Sequence, residues 1–219
     1  MNSDIVVLIL NCKKYKQKAE FQRQTWLRDI ETNTQNAGAS LVYYHVIGDP
    51  EMDTPYMFDH SGHWLYVKVK DDYCSLPAKV ISAFAAVNEI YTYKYIFKTD
   101  DDQILIKPTF MGMFFKLLVA KGANYGGYCL TVPDHYSSYY LVHNELPQKL
   151  FLEKTTYCNG RFYALSPAAI QALLHERNNI SQRVIEDHAI GFYLPEEFKA
   201  SLLSFDSNQV FIDLEKFMA

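Results

Sequence analysis

The sequence has no excess of positive charge. Its 21 Lys and Arg stand against 25 Asp and Glu, a formal net charge of -4, so it carries no electrostatic footprint for nucleic acid. No apolar run approaches the ~20 residues that cross a bilayer as a helix. Met1-Asn2-Ser3-Asp4 has none of the basic character that opens a signal peptide and leads straight into a strand. These absences predict a soluble, cytoplasmic protein with no membrane span. Cysteine is scarce: Cys12, Cys74, Cys129 and Cys158 show no paired metal spacing and read as free thiols. No G-x-G-x-x-G follows the first strand and there is no Walker loop, which argues against dinucleotide and P-loop chemistry. Internal repeats, low-complexity tracts and dividing linkers are also missing.

What remains is an ordinary globular composition, 49% hydrophobic and 21% charged over 219 residues, enough for one sizeable domain. Aromatics make up 15%, with 17 Tyr, whose flat faces and hydroxyls suit sugar or base stacking as well as core. The apolar run 4–10 predicts a strand buried on both faces. A polar helix is expected over 16–32 and a second strand over 39–47, closed by Gly48-Asp49-Pro50. The stretch 51–63 reads as a loop and 64–69 as a strand. A helix follows to about Tyr91, with Ser75 as cap, Pro77 in its first turn, and Ala78, Ile81, Ala85 and Ala86 as its packing face. Further on come a central strand from Tyr95, a helix over 108–118 and a strand over 124–130. An aromatic, irregular segment over 132–148 has the composition of a binding loop. Asn159-Gly160 reads as a turn before a short strand over 162–165. Helices are expected from a Ser166 cap and from Glu186, and a last strand over 209–213. Alternating strands and helices predict an α/β architecture with a mainly parallel sheet flanked by helices.

The chemistry centres on Asp100-Asp101-Asp102, where an apolar strand ends in three adjacent carboxylates. Three neighbouring anions repel one another and stay together when something cationic sits among them. A hard divalent ion, Mn²⁺ or Mg²⁺, suits carboxylate and phosphate oxygens, and open α/β sheets place ligands at the carboxyl ends of their strands. A solvated acidic turn is the plainer alternative. Arg23, next to the end of the first strand, is placed for a phosphate or a nucleobase. Lys79 lies early in a helix, where a cation is unfavourable unless it faces a bound anion. Glu186-Asp187 opens an apolar helix, where the dipole favours carboxylates in any case.

Four ordered blocks carry a resemblance: Arg23-x-Thr25-Trp26; Asp72-Tyr73-x-x-Leu76-x-x-Lys79; Tyr95-x-x-Lys98-Thr99-Asp100-x-Asp102; and Tyr157-Cys158-x-Gly160 with Tyr163-x-x-Ser166, followed by Glu186-Asp187 and Gly191. Together they resemble the β-1,3-galactosyltransferase and Fringe-like glycosyltransferases, which have the GT-A fold, in an anchor-free form. The resemblance implies a metal-dependent, inverting transfer of a sugar from a nucleotide sugar, a UDP-sugar, to a hydroxyl of a glycan or glycoconjugate. It implies one catalytic domain over 1–219, with a nucleotide-sugar half over 1–107 and an acceptor half over 108–219. Asp187 becomes the expected general base, and Glu186 a positioning residue or alternative base. Asp100 and Asp102 become metal ligands. Arg23, Asp72, Lys79, Asp100, Asp101, Tyr157 and Asn159 become donor contacts, with the aromatic segment from His135 to Tyr140 at the acceptor. The family commonly adds a metal-binding His near the C-terminus. Here no His follows His188, leaving His188, Asp206 and Asp213 as candidate third ligands. Arg161 stands where the family is glycine-rich. Two other classes remain open: a nucleotidyltransferase acting on a sugar phosphate, against which the glycine-free segment 11–18 counts, and a non-catalytic sugar-binding module.

Overall fold

The structure is a computed structural model and describes residues 1–218. The chain begins with β1 (Ile5–Leu10), α1 (Lys16–Gln24), α2 (Ile30–Asn36) and β2 (Leu41–Gly48). An edge hairpin, β3 (Tyr56–Asp59) and β4 (Trp64–Val67), precedes α3 (Leu76–Ile90). Next come β5 (Tyr95–Asp100), β6 (Gln103–Leu105), α4 (Phe110–Lys121), β7 (Tyr125–Val132), β8 (His135–Tyr136), β9 (Phe151–Leu152) and β10 (Thr155–Leu165). The chain ends with α5 (Pro167–His175), α6 (Arg177–Ser181), α7 (Glu186–Tyr193), α8 (Glu196–Lys199), β11 (Leu203–Ser204), β12 (Phe211–Asp213) and α9 (Leu214–Met218).

Eight strands form one mixed sheet in the order β11-β7-β10-β5-β1-β2-β4-β3. The β5-β1-β2-β4 ribbon is parallel throughout, while β10 runs antiparallel to both β5 and β7. All six residues of β1 are buried, which is why its sequence is an unbroken β-branched run. Val6, Leu8 and Leu10 face one core with α3, α5 and α7; Ile5, Val7 and Ile9 face the other with α2 and α4. The two-residue period of a strand thus feeds two separate apolar layers.

Several local expectations are corrected. The helix expected over 16–32 breaks into α1 and α2 because Thr25 leaves helical geometry and its hydroxyl bonds back to the Phe21 carbonyl. The expected loop 51–63 contains β3, a half-exposed edge strand. Val80, Ala83, Phe84 and Val87 dominate the buried face of α3, while Ala78 and Ala85 are only half-buried. The Ser75 side chain caps nothing; the Asp72 carboxylate instead accepts the Ser75 amide at 2.8 Å and fixes the turn that leads into α3. Asn159-Gly160 does not end a strand. β10 runs through it, with a register shift against β7 between Cys158 and Tyr163, and a bulge of this kind re-aims side chains without ending the ladder. The last strand, β12, pairs with β6 outside the main sheet.

α7 lies directly on β10 because Gly191 has no side chain. A Cβ there would stand 2.2 Å from the Tyr157 Cβ and 2.8 Å from the Thr156 carbonyl oxygen. Gly191→Ala is therefore expected to lower the unfolding free energy by about 1–3 kcal/mol. The check is an earlier urea midpoint with an unchanged slope.

Candidate active site

The carboxyl ends of β1 and β5 open into a cavity of about 910 Å³, closed on its far side by the start of α7 and by the segment after β8. This is where a parallel α/β sheet collects ligands. Eight carboxylates and five Lys or Arg side chains line it, so the cavity itself is net negative although it also holds several cations.

Its floor is organised by Lys98. The Lys98 side chain is 1% exposed, and its ammonium reaches Asp100 at 2.8 Å, Glu186 at 3.0 Å and the Gly160 carbonyl at 2.7 Å. Burial opposes the charge, but the Asp100 and Glu186 carboxylates outweigh it and hold the amine above its ordinary value. Glu186 also accepts from the Tyr163 hydroxyl, so it is tied on both sides. Asp187, next along α7, accepts the Gly160 amide on Oδ2 and the His188 amide on Oδ1, each at 2.8 Å. Burial raises the Glu186 and Asp187 carboxyls above the usual carboxylate range.

The Asp triplet is spread rather than clustered. Asp100 turns to Lys98, Asp101 turns to Lys18 at 3.1 Å, and Asp102 Oδ1 accepts from the Gln103 amide at 2.9 Å. Gln22, fully buried on α1, holds the turn by donating to the Gln103 carbonyl at 2.8 Å and the Asp100 carbonyl at 3.3 Å. Burial, with repulsion from Asp102 and Glu186, outweighs Lys98 and pushes the Asp100 carboxyl up to about 6. Burial likewise outweighs Lys18 and lifts Asp101 to about 6.

Among the described residues, no three His, Cys, Asp or Glu side chains form a ready-made metal cage. Asp100 and Asp102 nonetheless give two hard oxygen donors in a net-negative cavity. That fits a divalent ion of the kind held by one or two carboxylates, with water and substrate phosphate completing the shell.

Of the sequence candidates, Asp72, Lys79, Asp100, Asp101, Asp102, Asn159, Glu186 and Asp187 line the cavity. Lys79 is not free there: it is 2% exposed, paired with Asp71 at 2.6 Å and bonded to the Asn11 carbonyl. Asp71 also accepts the Gly48 and Lys13 amides, so it secures the turn after β1, while Asp72 holds the turn before α3 through the Ser75 amide. Three other candidates do not line it. Arg23 points away from the cavity, stacked 4.7 Å over Trp64 and donating to the Gly62 carbonyl, because α1 turns it toward the edge hairpin. Tyr157 is buried under α7. His188 is 2% exposed, with Nε2 at 2.8 Å from the Glu153 carbonyl; one helical step beyond Asp187, it faces β10. Asp206 and Asp213 do not line the cavity either.

Sequence reasoning gave no role to Lys98, Gln22 or Asp71. The one signal was a lysine inside an otherwise apolar strand, since a buried cation requires a partner.

The pH dependence follows from the raised carboxyls. Folding favours the protonated forms of Asp100 and Asp101, so their charge destabilises the folded state in full well above pH 6, and the penalty fades as pH falls through about 6 toward the ordinary carboxylate value. His45, buried and depressed to about 3, acts in the opposite direction over part of that range, so the informative quantity is a difference. Asp101→Asn should gain stability relative to the parent as pH rises from 5 to 8, measured by thermal unfolding of both without ligand. Lys98→Ala, which leaves Glu186 buried without its cation, should cost about 3–5 kcal/mol in urea unfolding.

A family model described as Galactosyltransferase matches residues 17–201. No curated protein matches the chain. The eight-stranded, mostly parallel sheet flanked by helices is consistent with a GT-A-like glycosyltransferase. The matched stretch runs from within α1 through α8 and takes in the Asp triplet, the β10 bulge and Glu186-Asp187; the chain belongs to the galactosyltransferase family.

Proposed function

We propose that the protein transfers a sugar from a UDP-sugar to a hydroxyl of a glycan or glycoconjugate, with a divalent cation and inversion at the anomeric carbon. Family membership supports glycosyl transfer to an acceptor. The observation that carries the finer reading is the pairing, across one cavity, of the Asp100–Asp102 turn with an oriented Asp187. Asp100 and Asp102 would hold Mn²⁺ or Mg²⁺. When bound, such an ion neutralises charge on the departing nucleotide diphosphate.

The chain's own residues supply the rest. Asp187 is the base: a carboxylate oriented by two backbone amides, its proton affinity raised by burial toward working pH, where general bases are most effective. It takes the proton from the acceptor hydroxyl as that oxygen attacks the anomeric carbon and the nucleotide leaves from the opposite face. Glu186 positions rather than reacts, because Lys98 and Tyr163 already engage it. Tyr73, stacked on His143 at 4.1 Å, and Tyr139 form an aromatic lip suited to a sugar ring face.

A thermal-shift screen of nucleotide sugars with and without Mn²⁺ tests the donor site, since a ligand bound only by the folded state raises Tm. A UDP-sugar should stabilise in a Mn²⁺-dependent way, and the effect should vanish in Asp102→Ala. Asp187→Asn should keep that shift and lose about 10²–10⁴-fold in turnover. A Mn²⁺-dependent response to nucleoside triphosphates alone would instead favour nucleotidyl transfer. Full turnover in Asp187→Asn would remove its role as base, and a donor-binding parent without turnover would favour a binding module.

A further inference from the structure

The segment after residue 201 lies beyond the family match, yet it is built into the candidate site. β12 pairs with β6, the strand that leaves the Asp triplet, and the Leu214 amide donates to the Asp102 carbonyl at 2.7 Å. Gln103 Nε2 donates both to Asp102 Oδ1 at 2.9 Å and to Asp213 Oδ1 at 3.2 Å. Arg161, on the β10 bulge, completes the chain, reaching Asp213 Oδ1 at 2.6 Å and Asn208 Oδ1 at 2.5 Å.

The orientation of the Gln103 amide is dictated by charge. Reversed, it would aim its oxygen at two carboxylates. As placed, both bonds are favourable and its Oε1 stays buried without a partner, a cost the amide bears in order to face two anions. Asp102 needs such a fastening, because Asp100 and Asp101 beside it repel its carboxylate. Asp213 does not line the cavity, whereas Asp102, Gln103 and Arg161 do.

Building on the transferase reading above, we propose that Asp213 is a positioning residue for the reaction. Held in place by Arg161, it sets the direction of the Asp102 carboxylate through Gln103, and it makes the C-terminal strand part of the active site. This role differs from direct metal ligation: one Asp213 oxygen is engaged by Arg161 and Gln103, the other by Lys216 at 2.9 Å.

The test compares Asp213→Ala, Asp213→Asn and Lys216→Ala with the parent. The readouts are kcat/KM and the Mn²⁺ concentration that gives half-maximal UDP-sugar-dependent stabilisation. Residues that orient a metal-holding side chain from behind typically change metal affinity or activity 10–100-fold. Asp213→Ala should therefore need about 10–100-fold more Mn²⁺ or lose kcat/KM to a similar extent. Asp213→Asn, whose amide oxygen accepts the same two bonds, should recover most of that loss. Lys216→Ala, which removes only the exposed ion pair, should match the parent. An Asp213→Ala protein with a lowered Tm but an unchanged Mn²⁺ midpoint and kcat/KM would reduce the residue to a structural fastener and overturn the inference alone. A parent that answers no nucleotide sugar with Mn²⁺ would overturn the transferase reading and this inference with it.

Discussion

A buried ammonium between two carboxylates is the constraint on which the site depends. Lys98 lies in the centre of the sheet with no access to bulk water, and its charge is tolerable only because Asp100 and Glu186 meet it. Those carboxylates come from the end of β5 and the start of α7, elements 86 residues apart in sequence. One ion-paired group therefore fixes the distance between the Asp turn and the Glu-Asp pair.

The Gly160 peptide reinforces this connection from a third element. Its carbonyl accepts from Lys98 and its amide donates to Asp187, so both polar groups of a single residue are used within the site. That is possible because β10 bulges there and leaves those groups out of its ladder with β7. The same bulge presents Arg161 to the C-terminal strand. The floor of the cavity is thus specified by buried, directional contacts. Its lip is looser: Tyr73 and His143 stack at the mouth, and Leu141 and Val142 are more than 70% exposed. A rigid floor with an accessible lip suits a site that fixes its reacting groups and receives a variable partner.

Local chemistry made much of the scaffold legible. The unbroken β-branched run of β1 announces burial on both faces, Ser166 caps α5 as its position suggests, with the Ala169 amide donating to its hydroxyl, and strand-helix alternation gives the α/β class. The Asp triplet stands out because three adjacent carboxylates repel one another without a cation among them, and Glu186-Asp187 because the pair opens an otherwise apolar helix. The partners of Arg23 and His188 are distant in sequence and were not legible from it. Helical phase alone does not show which neighbour a side chain will meet, and these two meet Trp64 and the Glu153 carbonyl.

The sequence by itself determined the strand-helix alternation, the burial of β1 on both faces and the identity of the chemical groups, because these follow from residue type and near-neighbour spacing. Tertiary structure decided which charges meet. Lys98 joins two distant carboxylates, Asp71 rather than Asp72 receives Lys79, and Asp213 reaches Asp102 only through Gln103. The physical reason is that a buried polar group must find its partner in space, and β-sheet pairing brings together residues whose separation along the chain carries no local signal.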